Sequence, residues 1–251
     1  MTFIKDYYVT EQLDLRVFRT QKDHSYFVLK KQESKDSIEI KSLQKLKHKK
    51  IVELKDVIKN KHFLRTEIYA VLENIPWLNL RELKSRKNIT EKSILKLGYN
   101  LADVLCYIHS QGFIYNDLKP DNIMMLEWCD NIKLIDFESC VSIKEDKGSY
   151  LMSTPGYSCM QLSTPFAFSN DVFSLGTVLF FGKYNESPYL KHTNDDVLKY
   201  MSNERKYLLR GPAQKFEGET KLAEMINAMI EPIHINRPII SEVKTFFEDL
   251  I

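Results

Sequence analysis

The chain has 251 residues, 43% hydrophobic and 12% aromatic, with 36 Lys and Arg against 34 Asp and Glu. That composition supports a sizeable core and excludes a disordered chain. A net charge of +2 makes no demand for nucleic acid; MTFIKDYYVT at the start lacks the apolar stretch of a signal peptide, and the longest apolar run, Val172 to Phe181, is too short to span a membrane.

Cys106, Cys129, Cys140 and Cys159 form no C-x-x-C pair, which suits a reducing, cytoplasmic setting better than a disulfide framework. Leu13, Leu15 and Val17, then Tyr26 and Val28, alternate weakly about a turn at Gln21–Ser25. Leu13 to Lys31 therefore predicts an antiparallel hairpin. Asp36 to Lys47 predicts a helix, with Ile40, Leu43 and Leu46 on one face and Asp36 and Glu39 at capping-box spacing. Lys41, Lys45, Lys47, Lys49, Lys50, Lys55, Lys59, Lys61 and Arg65 make this part of the chain basic. Such a run is a solvated face or a docking surface for an acidic partner. Ile68–Asn74 predicts a buried strand, and Pro76-Trp77 opens a second region. There Thr90 is placed to cap a long helix marked by Ile94, Leu97, Leu101, Leu105 and Ile108.

The helix leads into IHSQGFIYNDLKPDNIMMLEWCDNIKLIDF, Ile108 to Phe137. Asp117, Asn122 and Asp136 stand among apolar residues, a pattern of a loop between short buried strands. Two carboxylates and an amide converging at a sheet edge can hold a divalent cation and leave one carboxylate to orient a hydroxyl. The plainer alternative is a polar turn between strands.

D-L-K-P-D-N followed by L-I-D-F resembles the catalytic loop and metal motif of the eukaryotic-type (Hanks-type) serine/threonine protein kinases. The resemblance extends to Asn170-Asp171-Val172-Phe173-Ser174-Leu175-Gly176, where Asp171 would tie down the catalytic-loop backbone, and to Thr154-Pro155-Gly156-Tyr157, like the substrate-docking end of an activation loop. It implies an α+β, bilobal protein-kinase-like fold: a small antiparallel β-sheet N-lobe with one helix, residues 1–75, and a mostly helical C-lobe, residues 76–251. It implies ATP and Mg²⁺, and a protein or peptide substrate. Asp117 would be the base and Lys119 would stabilise the transferring phosphoryl group. Asn122 and Asp136 would hold Mg²⁺. Lys30, ending Phe27-Val28-Leu29-Lys30, would reach the α- and β-phosphates, with Glu39 as its ion-pair partner or merely a helix cap. Val17, Val28 and Met124 would line the nucleotide site. Leu72 would be the gatekeeper, and Glu73 to Ile75 would offer backbone groups to adenine.

Several motifs depart from the family. No glycine precedes Gly98, and the phosphate-loop glycine places fall near Thr10, Gln12 and Leu15. A cover built without glycine must be looser, differently shaped or absent. Glu39 follows Lys30 by nine positions, a short separation that predicts an imperfect pair. Tyr115-Asn116-Asp117 replaces H-R-D, and loss of that arginine predicts little switching by phosphorylation at Ser149, Ser153 or Thr154. Cys159-Met160-Gln161 replaces A-P-E, so Gln161 would accept a hydrogen bond from Arg237 without an ion pair. Asp136-Phe137-Glu138 replaces D-F-G; Glu138 could bind metal or face solvent. D-F-E is similar to small-molecule kinases of the choline and aminoglycoside type and to kinase domains of class III and IV lanthipeptide synthetases. A chain of this length leaves no room for the other domains of those synthetases. Three readings are open: a divergent serine/threonine kinase, a pseudokinase acting as a binding or regulatory module, and a small-molecule kinase.

Overall fold

Lys5 takes a left-handed backbone (φ 53°) and turns β1 (Phe3–Ile4) back as β2 (Tyr7–Asp14). Asp23 and His24 (φ 48° and 62°) likewise turn β3 (Val17–Lys22) back as β4 (Ser25–Gln32). Two successive left-handed residues give a tight turn whose twist matches that of antiparallel strands. The computed structural model describes residues 2–63, 65–86, 88–126, 131–144, 154–158, 168–189, 215–218 and 220–251.

The expected hairpin is thus one link in a longer meander. Leu13 and Val17 lie on different strands, because the chain reverses at Leu15–Arg16. Asp14 pairs with Val17 across that turn and its Oδ1 accepts the Leu15 N–H at 2.6 Å, Arg16 O accepts the Lys31 N–H of β4 at 2.8 Å, and Leu15 is 87% exposed. With β5 (Leu54–Lys61) and β6 (Thr66–Glu73) the sheet has the order β1-β2-β3-β4-β6-β5, antiparallel throughout. Alternation along β6 sorts its side chains between two cores. Tyr69 and Val71 join Ile4, Tyr7, Leu29 and Ile58, while Ala70 and Leu72 join the main core. The sheet curls so that its edges approach: the Lys5 N–H donates to Asn60 Oδ1 at 3.3 Å.

The helix after β4 is α1 (Ile38–Lys45), shorter than expected and capped by Ser37 instead of Asp36. The Ser37 hydroxyl accepts the Ile40 N–H at 3.4 Å, whereas the Asp36 N–H is turned to Ser34 Oγ at 3.1 Å. Ile40, Leu43 and Leu46 are buried, as the spacing requires. Backbone hydrogen bonds then tie the sheet region to the remainder of the chain: Leu134 N–H to Lys50 O at 2.8 Å and Val52 N–H to Leu134 O at 2.9 Å.

That remainder is mostly helical. A short β7 (Leu78–Asn79) precedes α2 (Leu80–Arg86), and α3 (Glu91–Ser110) is capped by Thr90, which accepts the Ser93 N–H at 3.2 Å. A Cβ at Gly98 would lie 2.6 Å from the Phe247 ring, so glycine lets the helix Ile240–Glu248 close on α3. Around the loop after α3, β8 (Phe113–Ile114) pairs with β11 (Val141–Ser142), and β9 (Ile123–Leu126) lies between β7 and β10 (Asn131–Leu134). Behind it α4 (Phe168–Tyr184) is buried from Asp171 to Gly182, and the helix Thr220–Met229 packs against it. The arrangement is α+β, with an antiparallel sheet and one helix followed by a helical region. No helix among the described residues is long and apolar enough to cross a membrane.

Candidate active site

The loop between β8 and β9 is fixed from below by a buried carboxylate. Asp171, fully buried in the first turn of α4, accepts the Tyr115 and Asn116 N–H groups, each at 2.8 Å. His109 Nε2 lies 2.8 Å from the same carboxylate, and the imidazole packs on Phe168 with ring centroids 4.5 Å apart. Asn116 takes φ 66°, a conformation asparagine tolerates better than most residues. His109 is a site residue that no sequence motif singled out; its placement at the end of α3 was the available signal.

Above Asp171 stands Asp117. Its Oδ2 accepts from Lys119 Nζ at 2.7 Å and Asn122 Nδ2 at 3.0 Å, and its Oδ1 accepts from the Thr154 hydroxyl at 2.8 Å. Thr154 in turn accepts from Lys119 at 3.0 Å. Thr154 was expected only in a docking stretch and as a modification site, yet its hydroxyl joins both proposed catalytic residues. Next to the loop, Arg81 on α2 makes a two-pronged pair with Asp121 at 2.7 and 2.8 Å. Burial opposes the Asp121 charge, but Arg81 holds its carboxyl below the usual range.

The second cluster gathers on Lys30. Its ammonium lies 3.1 Å from Glu39, 2.7 Å from Asp136 and 3.3 Å from Glu138. Burial disfavours this cation, but Glu39 and Asp136 outweigh it and raise its pKa. Asp136 responds in kind: burial raises its pKa, but Lys30, helped by Lys119 and the Glu138 backbone, lowers it, and the net shift is down. Burial dominates at Glu39, whose pKa is raised despite Lys30. The short separation between Lys30 and Glu39 does not spoil their pair, contrary to expectation. The turn after Gln32 is compact, Ser37 caps the helix at once, and Glu39 falls in its first turn. Gln32 braces it, donating to Glu39 Oε2 at 2.7 Å and accepting from the Ser37 hydroxyl at 2.8 Å. Gln32 lies two residues beyond Lys30 on the same face of β4, which the strand period could have flagged. Glu39 also accepts the Phe137 N–H at 3.1 Å, and Phe137 meets Tyr115 edge-to-face with centroids 5.0 Å apart.

A cavity of about 710 Å³ is lined by Lys30, Glu39, Val17, Val28, Glu73, Ile75, Met124, Asn122 and Asp136. Leu72 lines it too, while Asp117 adjoins it through the Asn122 hydrogen bond and Lys119 is joined to Asp117. The Glu73 carboxylate turns to Lys133 and accepts the Glu53 N–H at 2.8 Å. The Glu73 N–H is bonded to Glu53 O at 3.0 Å, so this donor is not open to a ligand. Thr10 and Gln12 sit on β2, and the roof of the cavity is the turn Leu15–Arg16. Arg16 reaches Glu138 at 3.2 Å.

The donor set fits a hard cation that keeps water and substrate ligands. Asn122 commits its amide N–H groups to Asp117 O and Oδ2, leaving its oxygen as the donor at the cavity wall. Asp136 supplies a carboxylate. An amide oxygen and a carboxylate are oxygen donors of the kind Mg²⁺ takes alongside water and phosphate.

Ser149, Ser153, Gln161, Cys129 and Cys159 lie outside the described residues. Arg237, the expected partner of Gln161, donates to Glu231 O, Ser169 O and Pro232 O at 2.7, 3.0 and 2.9 Å. Of the basic run, Lys50 pairs with Asp103 at 2.7 Å, Lys55 with Glu53 at 2.7 Å and Arg65 with Glu67 at 3.0 Å, which leaves the face less positive than its lysine count suggests.

The chain is similar to an Aurora kinase of Yarrowia lipolytica, 32% identical over 100 residues that cover 39% of this chain and 27% of that protein. It is similar to the serine/threonine-protein kinase RUNKEL of Arabidopsis thaliana, 31% identical over 133 residues, 51% of this chain and 10% of that protein. A maternal embryonic leucine zipper kinase of Xenopus laevis is 30% identical over 102 residues, 38% of this chain and 16% of that protein. These matches span about a quarter or less of the curated relatives' own length. Residues 19–246 match the protein kinase domain, and on that match the chain belongs to the protein kinase family.

Proposed function

We propose that this chain transfers the γ-phosphoryl group of ATP to a serine or threonine hydroxyl of a protein or peptide. The observation that carries this reading is the pairing of two clusters at one cleft. Asp117 is held by Lys119, Asn122 and Thr154, and Asn122 shares the cavity wall with Lys30, Glu39 and Asp136. In this reading residues 1–75 are the first lobe and 76–251 the second.

Lys30, fixed by Glu39, binds the α- and β-phosphates. Asp136 and Asn122 would hold Mg²⁺, which when bound neutralises charge on the phosphates. Asp117 orients the acceptor hydroxyl and takes its proton, while Lys119 lies against the transferring group. The Thr154 bridge keeps Asp117 and Lys119 in register and supports a polypeptide acceptor, since it ties the docking stretch to the base. Val17, Val28 and Met124 sandwich the adenine, whose amino group donates to the Glu73 carbonyl and whose ring nitrogen accepts the Ile75 N–H. The cysteine pattern supports a cytoplasmic setting. The basic face of the first lobe is available to an acidic partner.

The test is phosphoryl transfer from ATP with Mg²⁺ to Ser/Thr peptides, Tyr peptides and small alcohols, for the native chain, Asp117→Ala and Asp136→Ala. Transfer to Ser/Thr peptides, falling by about 10²–10⁴ in Asp117→Ala, supports the reading. Transfer confined to small alcohols replaces it with a small-molecule kinase. A second reading, a nucleotide-binding module without transfer, is favoured by the glycine-free turn and by Glu138 on Lys30. Tight Mg·ATP binding with no transfer to any acceptor would establish it.

A further inference from the structure

Glycine-rich turns hold phosphates through backbone N–H groups, because no Cβ keeps the chain away. The turn Leu15–Arg16 has no glycine, so a side chain must supply what the backbone does not. Arg16 is placed to do so. It lines the roof of the cavity that holds Lys30, and its guanidinium spans the cleft to Glu138, 3.2 and 3.4 Å from the two carboxylate oxygens. Glu138 Oε1 lies 3.3 Å from Lys30 as well. The two cations that face the phosphate end of the cavity therefore share one carboxylate. Arg19, the third cation lining this cavity among the described residues, is occupied by Glu11 on its own sheet. Arg16 and Glu138 also line a neighbouring cavity of about 310 Å³ beside α1, so their pair is a partition at the mouth of the cleft.

Arg16 and Glu138 are 48% and 39% exposed in their side chains. An ion pair this open is weak and exchanges partners readily. A guanidinium carries a planar fork of donors that matches phosphate as well as it matches carboxylate. We propose that Arg16 is a nucleotide phosphate ligand that substitutes for the glycine-rich loop, and that Glu138 is its resting partner, displaced when phosphates arrive. This rests on the ATP-using reading above and names a residue that reading lacked. Glu138 then has two effects before binding. It aims Arg16 across the cleft, and it competes with the incoming anion for Arg16 and Lys30.

The two halves of the pair should therefore respond in opposite directions. Titration calorimetry of Mg·ATP, Mg·ADP and adenosine would be compared for the native chain, Arg16→Ala, Arg16→Lys and Glu138→Gln. Arg16→Ala should weaken both nucleotides about tenfold or more while leaving adenosine unchanged, and Arg16→Lys should recover part of the loss. Glu138→Gln should tighten both nucleotides severalfold, since a competing anion is gone. Arg16 is exposed and Glu138 half-buried, and thermal melts would verify that each variant folds. Native-like nucleotide binding by Arg16→Ala overturns the proposal and leaves the kinase reading standing. Equal weakening by Arg16→Ala and Glu138→Gln overturns it too, and makes the pair a structural strut. Failure of the native chain to bind any nucleotide overturns the ATP-using reading itself.

Discussion

Asp171 and Glu138 are both carboxylates that hold a loop of the site, and they do it in opposite surroundings. Asp171 is fully buried and bonded to two backbone N–H groups, so the loop it holds has no side-chain freedom through which to escape. Glu138 is bonded to Arg16 and Lys30 and is 39% exposed at its side chain. Removing the first leaves buried donors unsatisfied, whereas removing the second exposes its partners to water. The base of the cleft is thus set by the fold, and its roof is set by exchangeable side chains. That division explains how the roof can lose every glycine while the base keeps Asp117, Asn122 and Asp136 in place.

The contrast can be broken by experiment. Asp171→Ala should have the largest effect, lowering stability by about 3 kcal/mol in denaturant titrations and transfer by at least about a hundredfold. If Arg16→Ala destabilised the chain equally, base and roof would be of one kind. Thr154→Val should come next, lowering turnover about tenfold with Mg·ATP affinity unchanged, and Thr154→Ser should restore it. A fall in nucleotide affinity in Thr154→Val would instead join that hydroxyl to the nucleotide site. A phosphate on Thr154 would meet the Asp117 carboxylate, so modification there should lower activity, in line with the expected lack of an activating switch.

Asp103 sharpens the contrast from outside the site. It pairs with Lys50 at 2.7 Å and Lys244 at 2.8 Å, joining α3 to the segment before β5 and to the helix Ile240–Glu248. Burial opposes its charge, yet the two lysines hold its carboxyl at about 2. A depressed carboxyl stabilises the fold above the unfolded-state value and loses that contribution as the pH falls from about 4 to 2. Asp103→Asn should abolish about 1 kcal/mol of acid sensitivity in that window, and an unchanged pH profile would show the pair to be fully screened. The smallest effect is expected at the cap of α1. Ser37→Ala should cost about 0.5 kcal/mol in thermal melts, with a modest loss of nucleotide affinity through Glu39. A larger affinity loss without destabilisation would mean that Ser37 acts chiefly through Gln32.

The base was legible in the sequence because its parts are local. Asp117 and Asn122 sit on one short loop, and Asp136 lies just beyond β10. Lys30 and Glu39 were legible as a pair, but their quality was misjudged, since the cap at Ser37 and the brace at Gln32 compress the turn between them. The roof was legible only as an absence. Missing glycines say that backbone cannot reach phosphate, and nothing local names the side chain that replaces it. Arg16 and Glu138 are 122 positions apart, and Thr154 is 37 from Asp117, separations at which neither periodicity nor motif spacing carries information. The break after Asp14 was hidden for a different reason: Leu15 continues the apolar alternation while standing in the turn, and only its exposure betrays it.

The paired backbone bonds at Leu134, from its N–H to Lys50 O and to its O from Val52 N–H, join the sheet to the helical region at the backbone itself. They fix one line of backbone contact between the sheet and the helical region, whereas the Leu15–Arg16 tip meets that region through an exposed ion pair. Moving that tip alone would break the exposed Arg16–Glu138 pair and neither of the backbone bonds at Leu134. Hydrogen exchange should report this asymmetry, with the Val52 and Leu134 amides among the slowest to exchange and the Leu15–Arg16 turn among the fastest.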